Sequence, residues 1–384
     1  MGVLVYDLII RGGSIVDPAQ GIHGQADVAV SDGRIVAVEP ALAGSGRREL
    51  DGRGLVVTPG LVDVHVHLYV HVSHYGIHPD ATCLASGVTT AVDAGTAGRC
   101  IWPGLRHYVL ERARLRAFAL LHVSGMGMLT DHVGESQDLR WLDPAAAAVI
   151  AADNRDYVLG IKVRLDVNRV GPSGLEPLRR AEQVGETLRQ PVMAHVGKTP
   201  APLADVAALM RPGDIITHCF HGWQHGVLDD NGKVFAELRQ AAERGVLFDV
   251  GHGAGSFAFP VAEAALSQGF LPATISTDLH TYSLHGPAFD LPSVMSKFLY
   301  LGLSLNEVVR RTTCDAARAV GIQERAGSLA PGRPADITLL QEVEGPFRFD
   351  DCAGNSRLAP RTLVPRYVVL GGDVLPARTN APWR

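Results

Sequence analysis

Thr58–Leu68, TPGLVDVHVHL, is the stretch on which the reading of this chain turns. A Thr-Pro-Gly turn leads into strict alternation. Val62, Val64 and Val66 fall on one face of an extended strand, and Asp63, His65 and His67 on the other, because side chains reverse at each residue. Imidazoles two residues apart on a strand point the same way, about 7 Å along the chain, close enough to share a metal site. Paired histidines also occur as ordinary core or surface residues, so the pair needs support from the rest of the chain.

Outward from this stretch, residues 58–325 alternate apolar strand and polar helix. Strands are expected at 61–67, 88–95, 115–124, 157–165, 191–197, 214–220, 245–251 and 274–280, with helices such as 175–190 and 233–245 between them. Near-continuous apolar strands separated by helices indicate a parallel sheet covered on its faces. Eight such units over roughly 250 residues match a closed (β/α)8 TIM barrel. An open doubly wound sheet would carry a Gly-rich phosphate turn after an early strand, and none is present.

The two ends of the chain read differently. Residues 1–57 are short β-like runs, with a strong hairpin signal at Asp32-Gly33. Residues 326–384 contain PADITLLQEV and RYVVLGGDVL, with turn residues at Pro331-Gly332 and Gly371-Gly372. Neither piece is large enough for its own core. The expectation is an α/β protein: a barrel of residues 58–325 and a small β-sandwich domain built from 1–57 plus 326–384.

Composition narrows the function. The 384-residue chain is 46% hydrophobic and 20% charged, as expected of a well-buried globular protein. A net charge of −5 gives no electrostatic case for nucleic acid or an anionic membrane as partner. The five cysteines contain no CxxC pair, which argues against a disulfide framework and for a reducing compartment. The start, MGVLVYDLIIRGG, is broken by Asp7 and Arg11 and lacks the order of a signal peptide. A cytoplasmic protein is expected. Lysine is scarce: Lys162, Lys198, Lys233 and Lys297 are the whole set.

In such a barrel the chemistry gathers at the C-terminal ends of the strands. Those ends carry His65 and His67 on strand one, Lys162 on four, His195 on five, His218 on six and Asp278 on eight. Singly, each has an ordinary reading, as a satisfied core histidine or a turn cap. Together, at matching positions, they form a constellation. Lys162 lies inside GIKVR, where burial disfavours an ammonium and pushes the amine toward neutrality. A neutral amine can add carbon dioxide to give an anionic carbamate able to bridge two divalent metals. Four imidazoles, a carbamate and a carboxylate suit zinc, though hard–soft preference alone does not exclude manganese, iron or nickel. Asp63 shares the face of His65 and is a candidate partner for it or a turn cap.

The motifs DVHVH (63–67), the lysine of GIKVR (160–164), MAHVG (193–197), THCFHG (217–222) and STDLH (276–280) resemble the amidohydrolase superfamily with a binuclear metal centre. The resemblance covers nearly the whole chain. VGHGAGSF and STDLH are most similar to the deacetylase group often labelled dihydroorotase-like. It implies that His65, His67 and Asp278 hold the more buried metal, that His195 and His218 hold the more exposed one, and that carboxylated Lys162 bridges them. Oligomers are common in this superfamily, so a homo-oligomer is expected.

A hydroxide between the two metals is then the expected nucleophile. Asp278 is the expected catalytic residue, taking the hydroxide's proton and passing it to the leaving group. Such a centre retains about one positive charge and favours an anionic substrate. Arg164 can add a fork for a substrate carboxylate, and Tyr69, His221 and His280 are further candidates for substrate contact. Ser256 belongs to GHGAGS (251–256), read as a loop that starts a helix and offers NH groups to an anion or oxyanion. Dihydroorotases and hydantoinase-like relatives follow the HxH pair with a substrate-binding arginine. Here Tyr69 and His71 stand in that region, and no arginine follows the pair before Arg99. The reading is therefore a metal-dependent hydrolase cleaving an acyl amide or ester of a small carboxylate-bearing compound. A cyclic amidase such as dihydroorotase and a catalytically inactive structural scaffold are the alternatives. A serine hydrolase lacks its GxSxG elbow. Asp278→Asn is expected to keep its metals and lose most turnover; a kcat near wild type in that variant would refute the role.

Overall fold

The computed structural model describes residues 5–382. The chain opens with β1 (Val5–Asp17), β2 (Ile22–Ser31), β3 (Arg34–Glu39), β4 (Ser45–Asp51) and β5 (Val56–Pro59). β2 and β3 are joined through Asp32 and Gly33 at φ 50° and 67°, the paired positive angles of a tight hairpin turn. Seven parallel strands follow: β6 (Leu61–Val66), β7 (Val88–Gly98), β8 (Arg116–His122), β9 (Val158–Arg164), β10 (Val192–His195), β11 (Ile215–Thr217) and β12 (Leu247–Asp249). Each pairs with the next in chain order, the arrangement expected of a barrel wall. The chain then returns through β13 (Ile337–Asp350), β14 (Ser356–Leu370) and β15 (Asp373–Pro376).

The eighth barrel strand is a point of difference. Residues 274–280 do not form a regular strand. They make one parallel bridge to each side, Asp249 with Thr274 and Val66 with Leu279. Backbone bonds from Val250 to Thr274, His252 to Ser276 and His67 to Leu279 complete the seam and close the ring. The cause is local. Asp278 has φ 46°, which breaks an extended run.

The strands from both chain ends form one mixed sheet in the order β15-β14-β13-β5-β1-β2-β3, with β4 beside β1. It curls until its ends meet: a methyl on Gly33, in the β2–β3 turn, would lie 2.9 Å from the carbonyl oxygen of Gly371 in the β14–β15 turn. The curl encloses an apolar core of its own, with Ile10, Ile15, Val28, Val30, Ile337, Leu339 and Val369 among its members. This β-rich unit sets the start of the barrel. β5 runs into β6 across Gly60, whose amide donates to the Asp336 carbonyl at 2.8 Å. Thr338 Oγ1 accepts from the Leu61 amide and donates to the Gly87 carbonyl.

On β6 the expected alternation holds for Val62 and Val64, whereas Val66, beyond a register irregularity after Asp63, packs in a different cluster. Val62 and Val64 are fully buried in a cluster with Ala316, Ala317 and Val320. Helix Glu176–Leu188 occupies most of the expected 175–190, whereas 233–245 yields only Ala236–Glu243. No helix among the described residues is long and apolar enough to cross a membrane.

Asp63 supplies the polar part of the seam. Its Oδ1 accepts from the amides of His65 and Thr277, and its Oδ2 from Thr277 Oγ1 at 2.6 Å. Asp63→Ala leaves these buried donors unpaired. It is expected to cost roughly 1–3 kcal/mol, read as a lower urea midpoint; an unchanged midpoint would show that the seam holds without it.

Candidate metal centre

The strand register brings four histidines and one lysine to the C-terminal ends of the barrel strands, and the partner on each ring decides what the ring offers. His65 Nδ1 lies 2.9 Å from Thr217 Oγ1, which donates its own proton to Asp249 Oδ2 at 2.7 Å. Thr217 therefore accepts, Nδ1 carries the hydrogen, and Nε2 is bare. His67 repeats the arrangement through Thr96 Oγ1 at 2.8 Å, with Thr96 bonded to Asp93. His218 donates Nδ1–H to the Gly251 carbonyl at 2.6 Å. His195 donates Nε2–H to Asp166 Oδ2 at 3.2 Å. Four bare nitrogens thus face inward, and burial holds His65, His67 and His218 well below the usual imidazole range, so they stay neutral.

The inward atoms are close together. His195 Nδ1 and His218 Nε2 are 2.8 Å apart. Asp278 Oδ1 lies 3.1 Å from His67 Nε2 and 3.4 Å from His65 Nε2. These three residues each place a ligand atom within 4.8 Å of the others. Lone pairs facing lone pairs at such distances repel one another unless a cation lies among them. By that test His65, His67 and Asp278 fit a divalent ion.

Lys162 is fully buried on β9, and its amine is pulled down to about 7, chiefly by desolvation. Its Nζ has only soft company, His65 Nε2 at 3.2 Å and Met193 Sδ at 3.5 Å. No carboxylate bonds it directly, so the amine is placed to react, not to form an ion pair. Gly95 makes room for it: at φ 82°, a methyl there would lie 2.3 Å from Lys162 Cβ.

The proposed substrate contacts fare unevenly. Arg164 is buried, and its guanidinium forks onto Glu135 at 2.6 and 2.9 Å, with Tyr75 Oη at 3.4 Å. A protein carboxylate thus fills the fork proposed for a substrate. His280 is buried beside the centre, with Nε2 3.9 Å from Asp278 Oδ2 and its ring next to those of His67 and Tyr75. His221 is buried too: its Nδ1 accepts from the Trp223 amide, which leaves Nε2–H without a partner among the described residues. Tyr69 turns its hydroxyl to the Ile101 carbonyl at 3.1 Å and lines a depression with His78 and Tyr108. Ser256 is half-buried on the loop after β12. The amides of Gly251, His252 and Gly253 are already engaged by Ser276 and Thr277, and the following helix starts only at Phe259. The first three amides of GHGAGS are therefore closed to an anion, because the irregular eighth strand needs them.

Several residues that shape the site escaped the sequence reading. Thr96, Thr217, Asp166 and Asp249 set the ring tautomers, Tyr75 stands over His67 at 5.4 Å between ring centres, and Glu135 holds Arg164. His122 ends β8 beside Lys162 and faces Glu135 at 3.5 Å. Only His122 gave a signal, as one more histidine at a strand end. Thr217→Val removes the group that fixes the His65 tautomer. It is expected to weaken metal binding by roughly 10–100-fold, read by chelator competition; an unchanged affinity would show that the ring is oriented by other contacts.

A sequence model of the amidohydrolase family matches residues 230–371. A deacetylase of Agrobacterium fabrum is 34% identical over 353 residues, covering 91% of this chain and 86% of its own. A deacetylase of Enterococcus faecalis is 32% identical, covering 96% and 99%. Among solved structures, one described as an adenine deaminase superposes with a TM-score of 0.90 at 31% identity, covering 97% of this chain and all of its own. One described as a dihydroorotase superposes with 0.88 at 33% identity, with the same coverage. Similarity at this level along most of both sequences makes the chain a member of the amidohydrolase family.

Proposed function

We propose that this chain is a metal-dependent hydrolase that removes an acyl group, as amide or ester, from a small carboxylate-bearing compound. The observation that carries the reading is the meeting of His65 and His67 Nε2 with Asp278, beside the close His195–His218 pair and a buried lysine 3.2 Å from His65. His65, His67 and Asp278 would hold one divalent ion, and His195 and His218 the other. Lys162 as a carbamate would bridge the two, with zinc favoured by the nitrogen-rich donor set. Ions so held would polarise an acyl carbonyl and make a shared water acidic near neutral pH.

The chain's own groups supply the rest. Asp278 turns Oδ1 to the two histidines and Oδ2 toward Gly253 and His280, so one carboxylate can take a proton on one side and release it on the other. Tyr75 stands over the His67 ring and limits access of bulk water. The unpaired Nε2–H of His221 is a ready donor to an anionic substrate group. Arg164 is held by Glu135 and lies beside Tyr75.

The relatives' names set the competing readings: deacetylase, dihydroorotase and adenine deaminase. A deacylase is favoured over a cyclic amidase because no arginine follows the HxH pair closely and the Arg164 fork is already filled. An inert scaffold is disfavoured, since burying four bare nitrogens is unfavourable unless an ion compensates them. The test is a panel on metal-loaded protein of N-acetyl amino acids, acetylated hydroxy acids, dihydroorotate and adenine. Acetate release from the first two classes is expected to exceed turnover of the last two at least about tenfold in kcat/KM, a gap of roughly 1.4 kcal/mol in transition-state stabilisation; equal or faster turnover of dihydroorotate or adenine would overturn the assignment.

A further inference from the structure

Lys297 is the second fully buried lysine of this chain, and it lies outside the cluster of groups described above. It sits on the helix Leu291–Tyr300. Its Nζ reaches three acceptors: His252 Nε2 at 2.7 Å, the Pro287 carbonyl at 2.8 Å and the Asp350 carbonyl at 2.7 Å. The three belong to three different segments. His252 lies on the loop after β12, Pro287 on the loop that follows the irregular eighth strand, and Asp350 at the end of β13.

A buried ammonium is ordinarily matched by a carboxylate. Here the two nearby carboxylates are engaged elsewhere. Asp350 accepts from Arg348 and Ser356, and Asp351 from the amides of Phe259, Ala353 and Asn355. Three neutral acceptors therefore surround Nζ, in place of the carboxylate that a buried lysine ordinarily finds. His252 fits this role as a neutral ring: Nδ1–H donates to the Gly253 carbonyl, Nε2 accepts from Lys297, and the ring stacks on Phe257 at 4.6 Å.

The segment anchored in this way touches both halves of the metal centre. The Gly251 carbonyl accepts from His218 Nδ1 at 2.6 Å and so fixes which nitrogen of that ring faces inward. Gly253 lies against Asp278; a methyl on it would stand 2.4 Å from Oδ2. Cys352 adds a weaker hold, its thiol 3.5 Å from the His252 carbonyl. The only side chain of the segment is that of His252, and among the described residues its contact with a charged group is Lys297.

We propose that Lys297 is a positioning residue for the metal centre: its buried Nζ anchors His252 and thereby fixes the Gly251–Gly253 segment that orients His218 and walls Asp278. The inference rests on His218 and Asp278 being metal ligands. It extends that reading to a group that touches neither substrate nor ion.

The test uses full-length protein and three variants: Lys297→Met, His252→Leu and His252→Gln. The glutamine keeps an acceptor for Lys297, and the leucine does not. Folding is checked by circular dichroism, zinc affinity by chelator competition on metal-free protein, and kcat and KM on the acetylated substrate turned over best. Lys297→Met and His252→Leu are expected to fold and to lose about 10–100-fold in zinc affinity and kcat, with KM changing by less than about threefold. His252→Gln is expected to stay near wild type in both. Should Lys297→Met not fold, the His252 pair decides. Wild-type zinc affinity and kcat in a folded Lys297→Met or His252→Leu, or a loss of thermal stability alone, would overturn the proposal. Failure of wild-type protein to bind zinc would instead remove the metal-centre reading beneath it.

Discussion

Four imidazole nitrogens stripped of hydrogen and turned toward one another are the constraint on which the rest of this structure depends. Each lone pair has lost its water, and for His65 Nε2 the protein donor at hand is the Lys162 amine at 3.2 Å. A cation held among them would satisfy such an arrangement. The outer face of each ring explains how it is maintained: Thr217 with Asp249, Thr96 with Asp93, the Gly251 carbonyl and Asp166 hold the hydrogens on the far nitrogens. Lys162 is the complementary element. An amine kept from water, near neutrality and without a carboxylate bound to it is suited to becoming an anion among the ions those rings attract.

The fold delivers these groups by register. Parallel strands place His65, Lys162, His195 and His218 at one end of a ring, and the polar seam through Asp63 closes the ring beside Asp278. The sheet formed from the chain ends fixes where the barrel begins. β5 flows into β6, and Thr338 bonds to both Leu61 and Gly87, so the first barrel strand starts from a fixed point. Asp17 adds another tie between the chain ends by accepting from the Leu329 amide at 2.7 Å.

Much of this was legible in the sequence, for a physical reason. Alternation on a strand has a period of two, so His65, His67 and their apolar neighbours declare their faces without further information. The parallel strands read as apolar runs because both faces are covered. What escaped obeys no period. The eighth strand read as regular because nothing in TISTDLH announces a left-handed backbone at Asp278. Thr96 and Thr217 look like ordinary strand residues until the imidazole behind each is seen. Tyr75 and Glu135 lie on loops, where spacing carries no direction. Tyr69, adjacent in sequence to the histidine pair, turns away to Ile101, and the GHGAGS amides are taken by the neighbouring segment. Lys297 is a mid-helix lysine whose burial depends on three segments distant in the chain.

The most direct test is carbon NMR of metal-loaded protein equilibrated with 13C-bicarbonate, beside Lys162→Ala treated alike. A carbamate resonance in the wild type, lost in Lys162→Ala together with tight binding of the ion pair, is the predicted result. Fully active protein holding its metals with no such resonance would contradict the account.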